Sequence, residues 1–192
     1  SHAQQNLVYN GSFEEYTVCP SSNGGVANCV GWFSAANSPD YFHVCASSIA
    51  FLVPSNSWGY QQPNSGNAYM GGATYFQDYA YREPIRGTLI EPLVIGTKYY
   101  VSFKVSLAEK QSNCGSDKIG ALFTNVQYTN ISNPAPTVNY SHVYTNVTIS
   151  DTSNWVTVTG SFIADSAYSY IMIGNFFDNS QTNTLILPSQ LN

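Results

Sequence analysis

From Lys98 to Leu107 the chain alternates apolar and polar residues with a period of two. Tyr99, Val101, Phe103, Val105 and Leu107 fall on one face, and Lys98, Ser102, Lys104 and Ser106 on the other. Successive side chains of an extended strand point to opposite faces, so this segment must lie half-buried against a core. The pattern returns in His142–Ile149, where Val143, Thr145, Val147 and Ile149 oppose His142, Tyr144, Asn146 and Thr148. Ile119–Tyr128, Trp155–Ile163 and Tyr168–Phe177 read as further strands. The last is apolar on both faces at Ile171, Met172 and Ile173, as expected of a strand inside a sheet. No window shows a convincing 3.6-residue period with caps. Asp151–Asn154 reads as a short hairpin loop, and 111–116 and 130–138 as longer connections. The expectation is an all-β fold: an antiparallel β-sandwich of roughly eight to ten strands. It forms a single domain over 4–192, with 1–3 read as a tag scar or signal-peptide remnant.

Charge is scarce. Only 9% of the 192 residues are charged, against roughly 25% in an average soluble protein. The net charge is −5, and all six Lys and Arg residues lie between Arg82 and Lys118. Ser, Thr, Asn and Tyr keep the surface wet instead. This composition excludes a disordered chain, a helical bundle and a basic nucleic-acid binder. No segment approaches the ~20 apolar residues that span a bilayer. The bases are expected on the solvated face of one strand pair, with Glu83 and Glu91 placed to pair with Arg82 and Arg86. Four cysteines, Cys19, Cys29, Cys45 and Cys114, suggest two disulfides and an oxidising location, secreted or on the outer cell surface. Three connectivities are open. With no C-x-x-C pair, zinc is disfavoured.

A search for catalytic chemistry finds little. Nucleophile-elbow, zinc-protease, P-loop and dinucleotide motifs are absent. His43 lies near Asp40, but a chain rich in serine makes such a coincidence uninformative. Glu14 and Glu15 are adjacent, so in a strand they point to opposite faces and cannot flank one glycosidic bond. No catalytic residue is assigned. The aromatic, amide-rich stretch 58–83 says more. A sugar presents an apolar C–H face and a hydroxyl rim, which a flat ring and planar amide or carboxylate partners recognise. Trp58, Tyr60, Gln61, Tyr75, Phe76, Gln77, Asp78 and Tyr79 offer that mixture.

The opening Asn6-Leu-Val-Tyr-Asn-Gly-Ser-Phe-Glu14 resembles the first strand of jelly-roll carbohydrate-binding modules. Further along come Cys19-Pro20, Gly31-Trp32-Phe33, Pro39–Phe42, Val53-Pro54, Gly59–Gln61, Ser65–Tyr69, Arg82-Glu83, Tyr99–Ala108, Asp117–Gly120 and Gly174–Asp178. In that order they resemble an N-terminal domain of secreted Bacteroidetes surface proteins, often found before outer-membrane protein A-type domains or surface-sorting tails. The resemblance implies a jelly-roll type of sandwich and a structural calcium held with help from Asn10 and Glu14. It also implies Cys19–Cys45 with Cys29–Cys114; the rival pairing is Cys19–Cys29 with Cys45–Cys114. In such a source Asp165-Ser166-Ala167 would resemble an O-glycosylation site at Ser166. Related domains continue into a closing strand of Tyr-x-Ile-Asp-Asp-Val type, which this sequence lacks. That puts the calcium in doubt and suggests a sheet edge that another chain could fill.

The sequence therefore points to a non-catalytic extracellular or cell-surface binding module, with a polysaccharide or other glycan as ligand. The alternative is a structural adhesin or filament subunit that associates with copies of itself, or with a neighbouring surface protein, through an open edge. A carbohydrate-active enzyme ranks third.

Overall fold

The computed structural model describes residues 5–187. Its strands are β1 (Trp32–Ser34), β2 (Asp40–His43), β3 (Ser55–Asn56), β4 (Gly59–Tyr60), β5 (Ala68–Gly71), β6 (Ile85–Thr88), β7 (Lys98–Val105), β8 (Cys114–Ser116), β9 (Ile119–Thr124), β10 (Val143–Tyr144), β11 (Val156–Ile163), β12 (Tyr170–Asn175) and β13 (Thr184–Ile186). Three single-turn 3₁₀ segments are the only helical pieces among the described residues. The fold is all-β and antiparallel throughout, as the alternation predicts.

Five strands form the main sheet in the order β1-β6-β12-β9-β10. The doubly apolar β12 runs through its middle, paired with β6 over four residues and with β9 over six. Its two faces serve different cores. Ile171 joins Leu89, Val101, Phe123 and Val143 on the inner side. Met172 points the other way, to Ala35, Leu122 and Phe176. The segment between β9 and β10 lies across this outer face, where the Ala135 N–H donates to the Ala35 carbonyl at 2.9 Å.

A long ribbon of β7 and β11 covers the inner face, paired residue for residue from Val105–Val156 to Lys98–Ile163. On one side β11 packs against β10. A Cβ added at Gly160 would stand 2.8 Å from Val143 Cγ1, so only glycine permits this approach of ribbon and sheet. On the other side, among the described residues, β7 makes no backbone hydrogen bond to anything but β11. The two layers stand apart there. Phe103, Val105 and Ile173 point into the gap and are only half-buried, although Ile173 belongs to the central strand.

Several expectations need correcting. Of His142–Ile149, only Val143–Tyr144 is a strand; Ile149 makes an isolated bridge to Ser116. Asp151 organises a turn by accepting the N–H groups of Ser153 and Asn154, both at 2.8 Å, but β10 and β11 are not paired as a hairpin. One disulfide is present, Cys19–Cys45, with Cα atoms 5.6 Å apart. Neither Cys29–Cys114 nor the rival Cys19–Cys29 with Cys45–Cys114 forms. Cys29 is buried beside Trp32 and Tyr41, whereas Cys114 lies on β8 against β13. The arginines are also misplaced by sequence reasoning: Arg82 and Arg86 are buried, at 6% and 1% exposure. Glu83 is bound to Ser38, Ala73 and Tyr81 instead. Only Lys98 and Lys104 behave as expected, sharing the exposed face of β7.

The cysteine arrangement is checked by thiol titration under non-reducing conditions. Burial pushes the Cys29 thiol up to about 12, so it is both sheltered and un-ionised at neutral pH. One thiol at most, that of Cys114, should react in the native protein. Two should react after denaturation.

Candidate ligand-binding cleft

The gap between ribbon and main sheet opens into a cleft of about 2950 Å³. Its floor is apolar: Trp32, Ile85, Ile171 and Ile173 from the sheet, Val101 and Phe103 from the ribbon. Much of its rim comes from the loop-rich segment 56–78. Seven of the eight residues expected to bind ligand line the cleft: Trp58, Tyr60, Gln61, Tyr75, Phe76, Gln77 and Asp78. Tyr79 lies outside the lining and packs on Phe76, with ring centroids 5.3 Å apart.

The rings differ in what holds them. Trp58 is half-buried, edge-on to Phe42 at 5.4 Å and tilted against Phe51 at 5.9 Å. Its surroundings are a small core of Phe42, Phe51 and Val53, so its first role is packing. Tyr60 is 53% exposed and free to meet a ligand. The hairpin β3–β4 presents it, and Glu109 pins the hairpin to the ribbon side by accepting the Tyr60 N–H at 3.0 Å. Gly59 makes that contact possible. Its φ is +130°, and an added Cβ would lie 2.6 Å from Glu109 Cβ. Gln61 is fixed by Ser106, whose hydroxyl donates to Oε1 at 2.9 Å. Gln62 bridges two rings. Its Nε2 donates to the Tyr60 hydroxyl at 2.8 Å, and its carbonyl accepts from Trp155 Nε1 at 2.7 Å.

A second ring group reaches the cleft through Phe76 alone. Phe76, Tyr79 and Tyr81 form a triangle with centroid distances of 5.1 to 5.9 Å. Phe76 and Tyr79 are 41% and 56% exposed. Asn179 holds this loop by donating to the Phe76 carbonyl at 2.7 Å. Tyr81 is anchored through its hydroxyl, which donates to Glu83 Oε1 at 2.9 Å; burial and that carboxylate both raise its pKa. Tyr75 lies under the Arg82 guanidinium at 5.5 Å.

Among the lining rings that sequence reasoning did not assign to the site are Tyr69 and Trp155. Tyr69 stacks on Phe42 at 5.1 Å and meets Trp155 edge-on at 5.8 Å. Trp155 reads in sequence as nothing more than the start of a strand, and only folding brings it to Gln62.

Asn10 and Glu14, the residues expected to help hold calcium, are both engaged in hydrogen bonds to the protein. Asn10 donates to the Glu15 and Val30 carbonyls and accepts the Glu15 N–H through Oδ1. Glu14 accepts the backbone and side-chain N–H groups of Asn67 at 2.8 and 2.9 Å. A calcium ion held by this pair would compete with those donors. Among the described residues no three His, Cys, Asp or Glu side chains gather as a metal site. Asp40 and His43 lie on one strand three residues apart and work separately. Asp40 accepts the Gly24 N–H at 2.8 Å, and His43 Nδ1 accepts the Cys45 N–H at 3.0 Å. Ser166 occupies the bend after β11, its hydroxyl accepting from Asn125 at 2.7 Å.

Comparison with protein-family models, with curated proteins and with solved structures finds no match.

Two measurements follow. Trp58→Ala should lower stability by about 3 kcal/mol through the cavity it leaves. Tyr60→Ala should change it by less than about 0.5 kcal/mol, since the ring is exposed; denaturant unfolding reads both. Asp40 supplies a pH signature. Burial, opposed by the Gly24 N–H and reinforced by Glu83, pushes its carboxyl up to about 6. A folded-state pKa above the unfolded one means that stability falls as pH rises through that window. Asp40→Asn should therefore raise the melting temperature at pH 7.5, by about 1–3 kcal/mol in stability. The gain should shrink toward pH 4.

Proposed function

We propose that the protein is an extracellular binding module whose cleft takes a polymeric ligand, in the first place a glycan chain. The cleft's size carries this reading. At about 2950 Å³ it exceeds the ~300–1000 Å³ of ordinary small-molecule sites. It runs beside an eight-residue strand, roughly 26 Å at ~3.3 Å per residue. Exposed rings at Tyr60 and Phe76 offer stacking faces. Gln61, Gln77, Asp78 and Glu109 offer the planar polar groups that orient hydroxyls. The scarcity of charge suits a neutral polysaccharide. The Cys19–Cys45 disulfide fits an oxidising location, and none of the described helices could cross a membrane.

The test is affinity electrophoresis and a glycan array with the wild type, Tyr60→Ala and Phe76→Ala. Each substitution should weaken binding roughly tenfold while leaving the fold intact. Wild type that binds no polysaccharide would sink the reading.

A second reading rests on the unpaired edge of β7. Eight residues of edge strand, above half-buried Phe103, Val105 and Ile173, suit the addition of an extended polypeptide. The occupant would be a strand of another copy or of a neighbouring surface protein. Light scattering and hydrogen exchange separate the two readings. Strand addition requires oligomers, or a bound partner, together with protection of the β7 amides that are not bonded to β11. A monomer in which those outward amides exchange rapidly would leave the glycan reading alone.

A further inference from the structure

On the face of the main sheet opposite the cleft, Arg86 is 1% exposed, yet its Nε and Nη1 find no hydrogen-bond partner among the described residues. Its strand neighbours explain how it is held. Phe33 on β1 and Met172 on β12 are its register partners. The guanidinium lies over the Phe33 ring at 4.5 Å and over the Tyr170 ring at 4.9 Å, one from each flanking strand. Aromatic contact of this kind attracts the cation but does not satisfy its N–H groups, which lie in the guanidinium plane. A buried charge with unmade hydrogen bonds is expensive, and a native structure that keeps one needs a partner for it. Among the described residues no carboxylate bonds to it. The segment from 125 to 150, which includes the cover over this face, contains no Asp or Glu. Arg82 makes the contrast: its Nε is also without a partner, but both its terminal nitrogens donate, to the Tyr81 and Phe177 carbonyls and to Asn179 Oδ1.

We propose that Arg86 is the anchor of an oxyanion site that takes a small monocarboxylate. A planar carboxylate matches the flat fork of N–H groups in two parallel hydrogen bonds. One guanidinium with no second base balances a single negative charge, which favours a carboxylate over a phosphate dianion. The outer wall of the site is Phe33, 40% exposed, so one ring separates the cation from solvent. The site is independent of the cleft, because Arg86 points away from Ile85 and Gly87 on the same strand.

The wild-type protein itself can be tested, since it has only two arginines. The Nε–H resonances of Arg82 and Arg86, assigned with Arg82→Lys, are followed during titration with acetate, glucuronate, phosphate or chloride at constant ionic strength. The Arg86 signal should move saturably with acetate, while Arg82 stays still. A shift with glucuronate as well identifies a sugar-borne carboxylate as an acceptable source. In calorimetry, Arg86→Met should lower acetate affinity at least tenfold. No saturable shift of Arg86, a shift with phosphate alone, or equal acetate affinity in Arg86→Met would each overturn the proposal.

Discussion

The two antiparallel ladders that flank β12 set the frame for both faces of the molecule. β12 is paired with β6 on one edge and β9 on the other, so its backbone groups are satisfied within the main sheet. Its side chains then have no choice but to build two cores. Ile171 faces the ribbon, and Met172 faces the covering segment that follows β9. At the end of the strand, Asn175 continues the same work with polar atoms. Its Nδ2 donates to the Thr74 carbonyl and Thr182 hydroxyl, and its Oδ1 accepts the Phe177 N–H. Buried at 1% exposure, it ties the aromatic loop and the last strand to the sheet.

From that frame come both unusual regions. The ribbon is held close to the sheet only along β10, where Gly160 allows contact with Val143. Away from that side the layers diverge, and the loop-rich segment 56–78 fills the mouth with rings rather than long strands. The disulfide Cys19–Cys45 and the Asn10 hydrogen bonds brace loops that have few ladder bonds of their own. On the opposite face, which a segment without acids crosses, Arg86 lies buried against the Phe33 and Tyr170 rings.

Much of the strand pattern was legible in the sequence. Alternation located β7, β9, β11 and β12 because those strands are long and one or both faces meet a core. His142–Ile149 failed because alternation reports burial every second residue, and an extended but unpaired segment can satisfy that as well. Most of the rim was also legible. Seven of the expected binding residues line one cleft because the aromatic stretch has too little regular structure to bury them all. Tyr79 was lost to ring-on-ring packing. Trp155 was invisible, since its role depends on contact with Gln62, far away along the chain.

By itself the sequence determined the class of fold, the central position of β12 and the aromatic, amide-rich surface, because these follow from periodicity and composition. Tertiary structure decided the rest. It kept Cys29 and Cys114 apart, since each lies in a different packed region. It buried two of the six bases that composition placed in solvent: Arg86 because its place on β6 fixes which way its side chain points, and Arg82 because folding brings carbonyl and amide acceptors to it. It also left the ribbon's outer edge without a partner strand among the described residues, a matter of which strands pair and one that no local pattern records.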